Sequence, residues 1–118
     1  MVAEGSVDET MRSILEKEYP EEKEDATTIL KKADELTNCD RQEAYGHPAT
    51  NFQNTANFWN TYINGKYPEV NLSLTNEDVG FMMLLLKVSR ELNAPKFDNL
   101  LDGVGYLKTV QMIRDYGS

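Results

Sequence analysis

The chain has 118 residues, a formal net charge of -8, one cysteine and one tryptophan. That length makes one domain with a core of its own, and 40% hydrophobic with 27% charged residues is globular rather than disordered composition. A pI near 4.6 excludes general affinity for nucleic acid or for anionic membranes. Met1 to Asp40 carry 12 acidic and 5 basic residues, a net of -7, whereas Arg41 to Ser118 carry 8 and 7, a net of -1. Most of the acidity therefore belongs to the first third.

Cys39 cannot make an intrachain disulfide, and the start Met-Val-Ala-Glu-Gly-Ser is polar rather than of signal-peptide type. The longest apolar run, Phe81 to Leu86, is far too short to span a bilayer. The expectation is a cytoplasmic protein with no membrane partner.

Five helices and no strand are expected. Residues 1–24 are read as an acidic N-terminal helix and linker, and residues 25–118 as a helical bundle domain. The first helix is placed at Val7–Glu18, with Met11, Ile14 and Leu15 at helical spacing. Tyr19-Pro20 stops it. The second starts at Asp25 as N-cap, carries Ile29, Leu30, Ala33 and Leu36 on one face, and ends at Thr37-Asn38. A polar connector, Cys39 to Pro48, follows, with room for a short helical turn.

The third helix is placed at Ala49–Asn64. Phe52, Ala56, Trp59 and Ile63, spaced four, three and four, form its core stripe, and Gly65 is given the left-handed position after it. The fourth opens at Thr75 with Asp78 three residues on, the pattern of a capping box, and runs to Asn93. It is apolar almost all round from Val79 to Val88, which makes it the central helix, surrounded by others. The fifth is placed at Asp98–Asp115, its core face supplied by Leu101, Val104, Leu107 and Ile113. Gly103 and Gly105 within it imply close approach of another backbone or a ligand. The fold class is thus an all-α bundle with short connections.

Three groups of residues have chemistry to offer, and each has a structural reading beside the functional one. In the connector, Arg41 is a planar fork suited to phosphate, Tyr45 and His47 can stack on a base, Gly46 permits positive φ, and Asn51 follows within reach. The same residues also make an ordinary turn and helix cap. Lys87 and Arg90 share a face of the fourth helix, either as a phosphate-binding pair or with Lys87 in an ion pair to Asp78, Asp98 or Asp102. Asp98, Asp102 and Tyr106 line one face of the fifth helix. The two acids can share a divalent cation, or can be a cap and a first-turn acid. His47 is the only histidine, which excludes a multi-histidine metal site within one chain.

The string from Ala33 to Pro48, with its Asp40-Arg41-x-x-x-Tyr45-Gly46-His47-Pro48 core, resembles a family of small phage and prophage proteins of unknown function. The pattern continues through Asn51-Phe52, Trp59, Asp78-Val79, Met82-Met83, Leu85-Leu86-Lys87, Arg90, Asp98-Asn99, Asp102 and Gly105-Tyr106. Its architecture looks like that of the all-α, MazG-like nucleotide pyrophosphatases. That resemblance implies a nucleotide or other small anionic ligand, a magnesium ion and a homo-oligomer. Arg41, Lys87 and Arg90 then hold phosphates. Asp98 and Asp102, with Asp78, hold magnesium, and Asp102 and Lys87 are the catalytic pair. Tyr45, His47, Asn51 and Tyr106 contact the ligand, and Trp59 is either a base contact or core.

No core helix carries a Glu-x-x-Glu, so nucleotide binding is expected ahead of hydrolysis. The alternative function is non-catalytic and anti-defence. Such a protein sequesters a nucleotide signal, or binds and blocks a host protein, with the acidic N-terminal third imitating nucleic acid. A third reading is an accessory module whose polar motif only organises the bundle. For a phage-encoded chain, the compartment is the host cytoplasm.

Overall fold

The computed structural model describes residues 23–117, without the side chains of residues 39–41. Among the described residues there are five α-helices and no strand: α1 Ile29–Leu36, α2 Cys39–Tyr45, α3 Pro48–Lys66, α4 Asn76–Asn93 and α5 Phe97–Asp115. The expected helix at Val7–Glu18 lies outside the described residues. Among the described residues the connector is itself a helix, α2, longer than the short helical turn allowed for it.

Local chemistry sets most boundaries. A turn at Asp25 leads into α1, with the Asp25 carboxylate accepting from the Thr27 amide and hydroxyl at 2.9 and 2.6 Å. The Thr27 hydroxyl is the main reason the Asp25 carboxyl sits below its ordinary value. Gly46, with φ of 82°, ends α2 and reverses the chain. His47 then caps α3, its Nδ1 accepting from the Ala49 N–H at 3.0 Å, and Pro48 fills the first helical position. Thr75 and Asp78 form the expected capping box: the Thr75 hydroxyl accepts from the Asp78 N–H at 3.2 Å, and the Asp78 carboxylate accepts from the Thr75 N–H at 2.8 Å.

Gly65 departs from expectation. It is helical, α3 runs on to Lys66, and the glycines with positive φ among the described residues are Gly46 and Gly117. What closes α3 is the segment after it. Asn60 and Asn64, one turn apart, use both ends of their amides. Asn60 donates to the Leu74 carbonyl at 3.0 Å and accepts from the Leu74 N–H at 2.8 Å. Asn64 does the same with Leu72, at 2.8 and 2.6 Å. The two side chains thus act as a strand edge for an extended stretch of backbone. This returns the chain along α3, so α4 starts beside the start of α3, where the Asn76 amide donates to the Ala49 carbonyl at 3.2 Å.

α4 packs between α3 and α5, and α5 carries α1 on another side. The approach of α4 to α5 is close. A Cβ on Gly80 would lie 2.5 Å from the Val110 side chain, and one on Gly103 would lie 3.2 Å from Leu84. The glycines are therefore packing residues, and the close approach inferred for Gly103 is to a helix. The buried apolar residues include Ala33, Ala56, Val79, Leu101, Val110 and Ile113.

The expectation that α4 is covered all round is corrected. Phe81, Leu85, Val88 and Leu92 lie exposed on one side of it. Among the described residues two helices pack on α4, and a helix with two neighbours on adjacent sides keeps an outward face whatever its composition. Leu30, Leu36 and Leu107, expected in the core, are exposed as well.

Candidate functional site

A cavity of about 410 Å³ opens between α1, α2, α3 and α5, within the usual range of small-molecule sites. Leu36 and Thr37 reach it from the end of α1, and Gln42, Tyr45 and Gly46 from α2 and its turn. Pro48, Asn51 and Phe52 come from the first turns of α3, and Asp102, Gly105, Tyr106 and Thr109 from α5. Two strings far apart in sequence, Tyr45 to Phe52 and Asp102 to Tyr106, thus converge on one space.

Each wall has a local cause. The tight turn at Gly46 sets α2 against α3, and the Asn51 amide ties it by donating to the Tyr45 carbonyl at 3.4 Å. On α5, Asp102, Tyr106 and Thr109 follow spacings of four and three, so they share a face. Gly105 lies between them and brings α1 close, with the Thr37 methyl 3.7 Å from where its Cβ would be. The Thr109 hydroxyl donates back to the Gly105 carbonyl at 2.8 Å, and Thr109 is buried where it lines the cavity.

Asp102 is the charged residue of the lining. Its carboxylate meets the Lys87 ammonium at 2.8 Å, with side chains 32% and 15% exposed. Of the partners weighed for Lys87, this one is realised. The lysine stem lies in the α4–α5 seam and its charge is committed to Asp102.

The other expected residues are placed as follows. Tyr45, Asn51 and Tyr106 line the cavity with Asp102. His47 is spent on capping α3, and its ring packs on Tyr116 with centroids 4.3 Å apart. Arg41 stands on α2 next to Gln42, and its side chain is outside the description. Arg90 is exposed on the last turn of α4. Asp98 is exposed in the first turn of α5, where the helix dipole favours an acid. Trp59 is half-buried on α3.

Asp78 is the residue least able to join Asp102. It is held in the capping box, and it precedes Lys87 by nine residues on α4, about 13 Å along the axis. Among the described residues no group of three His, Cys, Asp or Glu side chains is placed to hold a metal ion. The expected magnesium set of Asp78, Asp98 and Asp102 is therefore not collected at one point in a single chain.

Sequence reasoning missed Gln42, Thr37 and Thr109. Thr109 was findable, because it extends the Asp102–Tyr106 face by three residues. Gln42 lies one turn before Tyr45, a signal only once the connector is known to be helical. Asn99 was grouped with Asp98, but its amide donates to Glu91 at 3.0 Å and helps to fix the α4–α5 turn.

These features define a small all-α protein with a ligand-sized cavity built largely from two short strings, Tyr45 to Phe52 and Asp102 to Tyr106. The chain belongs to the family described as "Domain of unknown function (DUF6378)", whose model matches residues 28–114. That span covers every described helix but the last residue of α5. The chain is also 32% identical over 88 residues to the "Gene 55 protein" of Mycobacterium phage L5, a match covering 74% of this chain and 53% of that protein. The chain therefore spans about half the length of that phage relative. No solved structure matches it significantly. No helix among the described residues is long and apolar enough to cross a membrane.

Proposed function

We propose that this protein binds a nucleotide, with the base in the cavity and the phosphates toward its mouth. The observation that carries the reading is the convergence of Tyr45, Asn51, Phe52, Asp102 and Tyr106 on one space of about 410 Å³. Tyrosine and phenylalanine rings offer flat apolar faces to a heterocycle. The amides of Asn51 and Gln42 offer donors and acceptors to its edge, and the Thr37 and Thr109 hydroxyls, whose protons go to the Ala33 and Gly105 carbonyls, offer acceptors. A carboxylate repels phosphate but accepts hydrogen bonds from a base amino group, so Asp102 orients the base inward. Lys87 offsets the charge of Asp102, its ammonium 2.8 Å from the carboxylate. Arg41, beside the lining residue Gln42, is the cation suited to the phosphates.

The wider likeness to MazG-like pyrophosphatases would add magnesium-dependent cleavage. Asp98 and Asp102 supply two carboxylates one turn apart, but Asp78 stands a long way down α4 and Lys87 is committed to Asp102. The residues of one chain do not fit that metal set, and binding without turnover is the reading adopted. It suits a phage protein that sequesters a nucleotide.

The test is calorimetric titration of the full chain with nucleosides and nucleotides, with and without magnesium, followed by chromatography of the ligand released on denaturation. The expected result is one ligand per chain, recovered intact. Asn51→Ala and Tyr45→Ala should each weaken binding by about tenfold or more with the fold retained. Recovery of monophosphate and pyrophosphate would replace binding with hydrolysis. Absence of binding across the panel would end both readings.

A further inference from the structure

α4 turns two sides inward. Gly80, Leu84, Lys87 and Glu91 meet α5 at Val110, Gly103, Asp102 and Asn99. Asn76 and Gly80 meet α3 at Ala49 and Phe52. The third side carries Phe81, Leu85, Val88 and Leu92, which are 40%, 62%, 49% and 86% exposed. Met82 and Leu86 flank them, also exposed. Ser89 is the polar residue of this side between Phe81 and Leu92, and the charges of that stretch, Lys87, Arg90 and Glu91, belong to the other sides. The six apolar side chains expose on the order of 500 Å², as large as the biggest apolar patches of ordinary monomers.

We propose that a second copy of this chain covers the face, with the two α4 helices antiparallel about a two-fold axis between Leu85 and Val88. Three observations select this occupant. The stripe is spaced four, three and four, the seam spacing of two packed helices, and a two-fold places such a seam against itself. In that register Phe81 meets the partner's Leu92, and Leu85 meets the partner's Val88. The ends are complementary in charge: α4 begins with Glu77, which also pairs with Arg114 at 2.8 Å, and Asp78, which is held in its capping box, and Lys96 follows its last turn. The antiparallel arrangement sets acid against lysine twice, and sets the two helix dipoles head to tail. A parallel pair would stack the acids. Two copies bury on the order of 1,000 Å² through these side chains alone, the scale that a specific interface requires. The interface does not depend on what fills the cavity, since it uses the side of α4 turned away from α5.

Sedimentation equilibrium of the full chain, across a range of concentrations, tests this. The expected result is a reversible dimer. Leu92→Glu, at the most exposed position of the stripe, should raise its dissociation constant by about tenfold or more, with helical content and unfolding midpoint retained at the monomer level. Lys96→Glu should weaken it in a salt-dependent way. A full chain that stays monomeric at every concentration overturns the proposal, and so does a dimer indifferent to both Leu92→Glu and Leu85→Glu. In the first case the face takes a different occupant, and in the second the dimer uses another surface.

Discussion

Lys87 and Asp102 sit at the point where stability and function meet. At 2.8 Å, with Lys87 mostly buried and Asp102 about one-third exposed, the pair is neither a surface ion pair nor a fully desolvated one. Removing one partner leaves the other charge partly buried and uncompensated. Asp102→Ala should therefore cost about 1–3 kcal/mol in urea unfolding, less than a fully buried pair because water reaches Asp102. Lys87→Met combined with Asp102→Leu should recover much of that loss, since no lone charge remains, while ligand binding stays abolished. A double variant as unstable as Asp102→Ala would mean that the pair contributes through something other than mutual compensation. This salt bridge was legible in the sequence as one of several alternatives, because a lysine on an apolar helix needs a partner. Which acid it takes depends on the register of α4 on α5, and that is set by Gly80 and Gly103.

Element by element, the helices follow from periodicity and caps, while the connections do not. Thr75 and Asp78 announce the start of α4 within four residues, and Gly46 announces the turn before α3. Asn60 and Asn64 announce nothing, because their partners are the backbone groups of Leu72 and Leu74. No local window shows what an asparagine on a helix surface faces. Their loss should be felt in the connection first. Asn60→Ala and Asn64→Ala should each cost about 1–2 kcal/mol, and hydrogen exchange at the Leu74 and Leu72 amides should accelerate before that of the α3 interior. Unchanged protection of those two amides would contradict the pinning.

The α4–α5 turn has a different signature. Glu91 accepts from the Asn99 amide and the Lys96 N–H, both at 3.0 Å, and these hold its carboxyl below its ordinary value, the Asn99 bond contributing most. A depressed folded value means that this stabilisation is complete above the unfolded-chain value and is lost as pH falls through the folded one. Thermal melts should show the wild type losing more of its midpoint between neutral and acid pH than Glu91→Gln does. Equal losses would mean that the Glu91 charge adds nothing to the turn.

At the scale of the whole molecule, the charge of -8 divides into two parts. The acidic first third lies largely outside the described residues. The nearly neutral remainder forms α3, α4, α5 and most of α2, most of the cavity lining and the outward apolar side of α4. That apolar side explains why composition overstated the core: a helix apolar all round implies cover on every side, and the described residues supply cover on two. The cavity was more legible. Tyr45, Asn51, Asp102 and Tyr106 were singled out from residue type and order, and the fold brings all four together. His47, Arg90, Asp98 and Asp78 were singled out by the same reasoning and are placed elsewhere, because residue type does not distinguish a cap or a surface acid from a ligand.

The central claim is that this convergence is a binding site. It is tested most directly by titrating the nucleotide panel into the full chain by calorimetry, and repeating the titration on Asn51→Ala. The account predicts saturable binding at one ligand per chain and a loss of about tenfold or more in the variant, with its unfolding midpoint close to that of the wild type. Absence of heat across the panel, or equal affinity in wild type and variant, would contradict it.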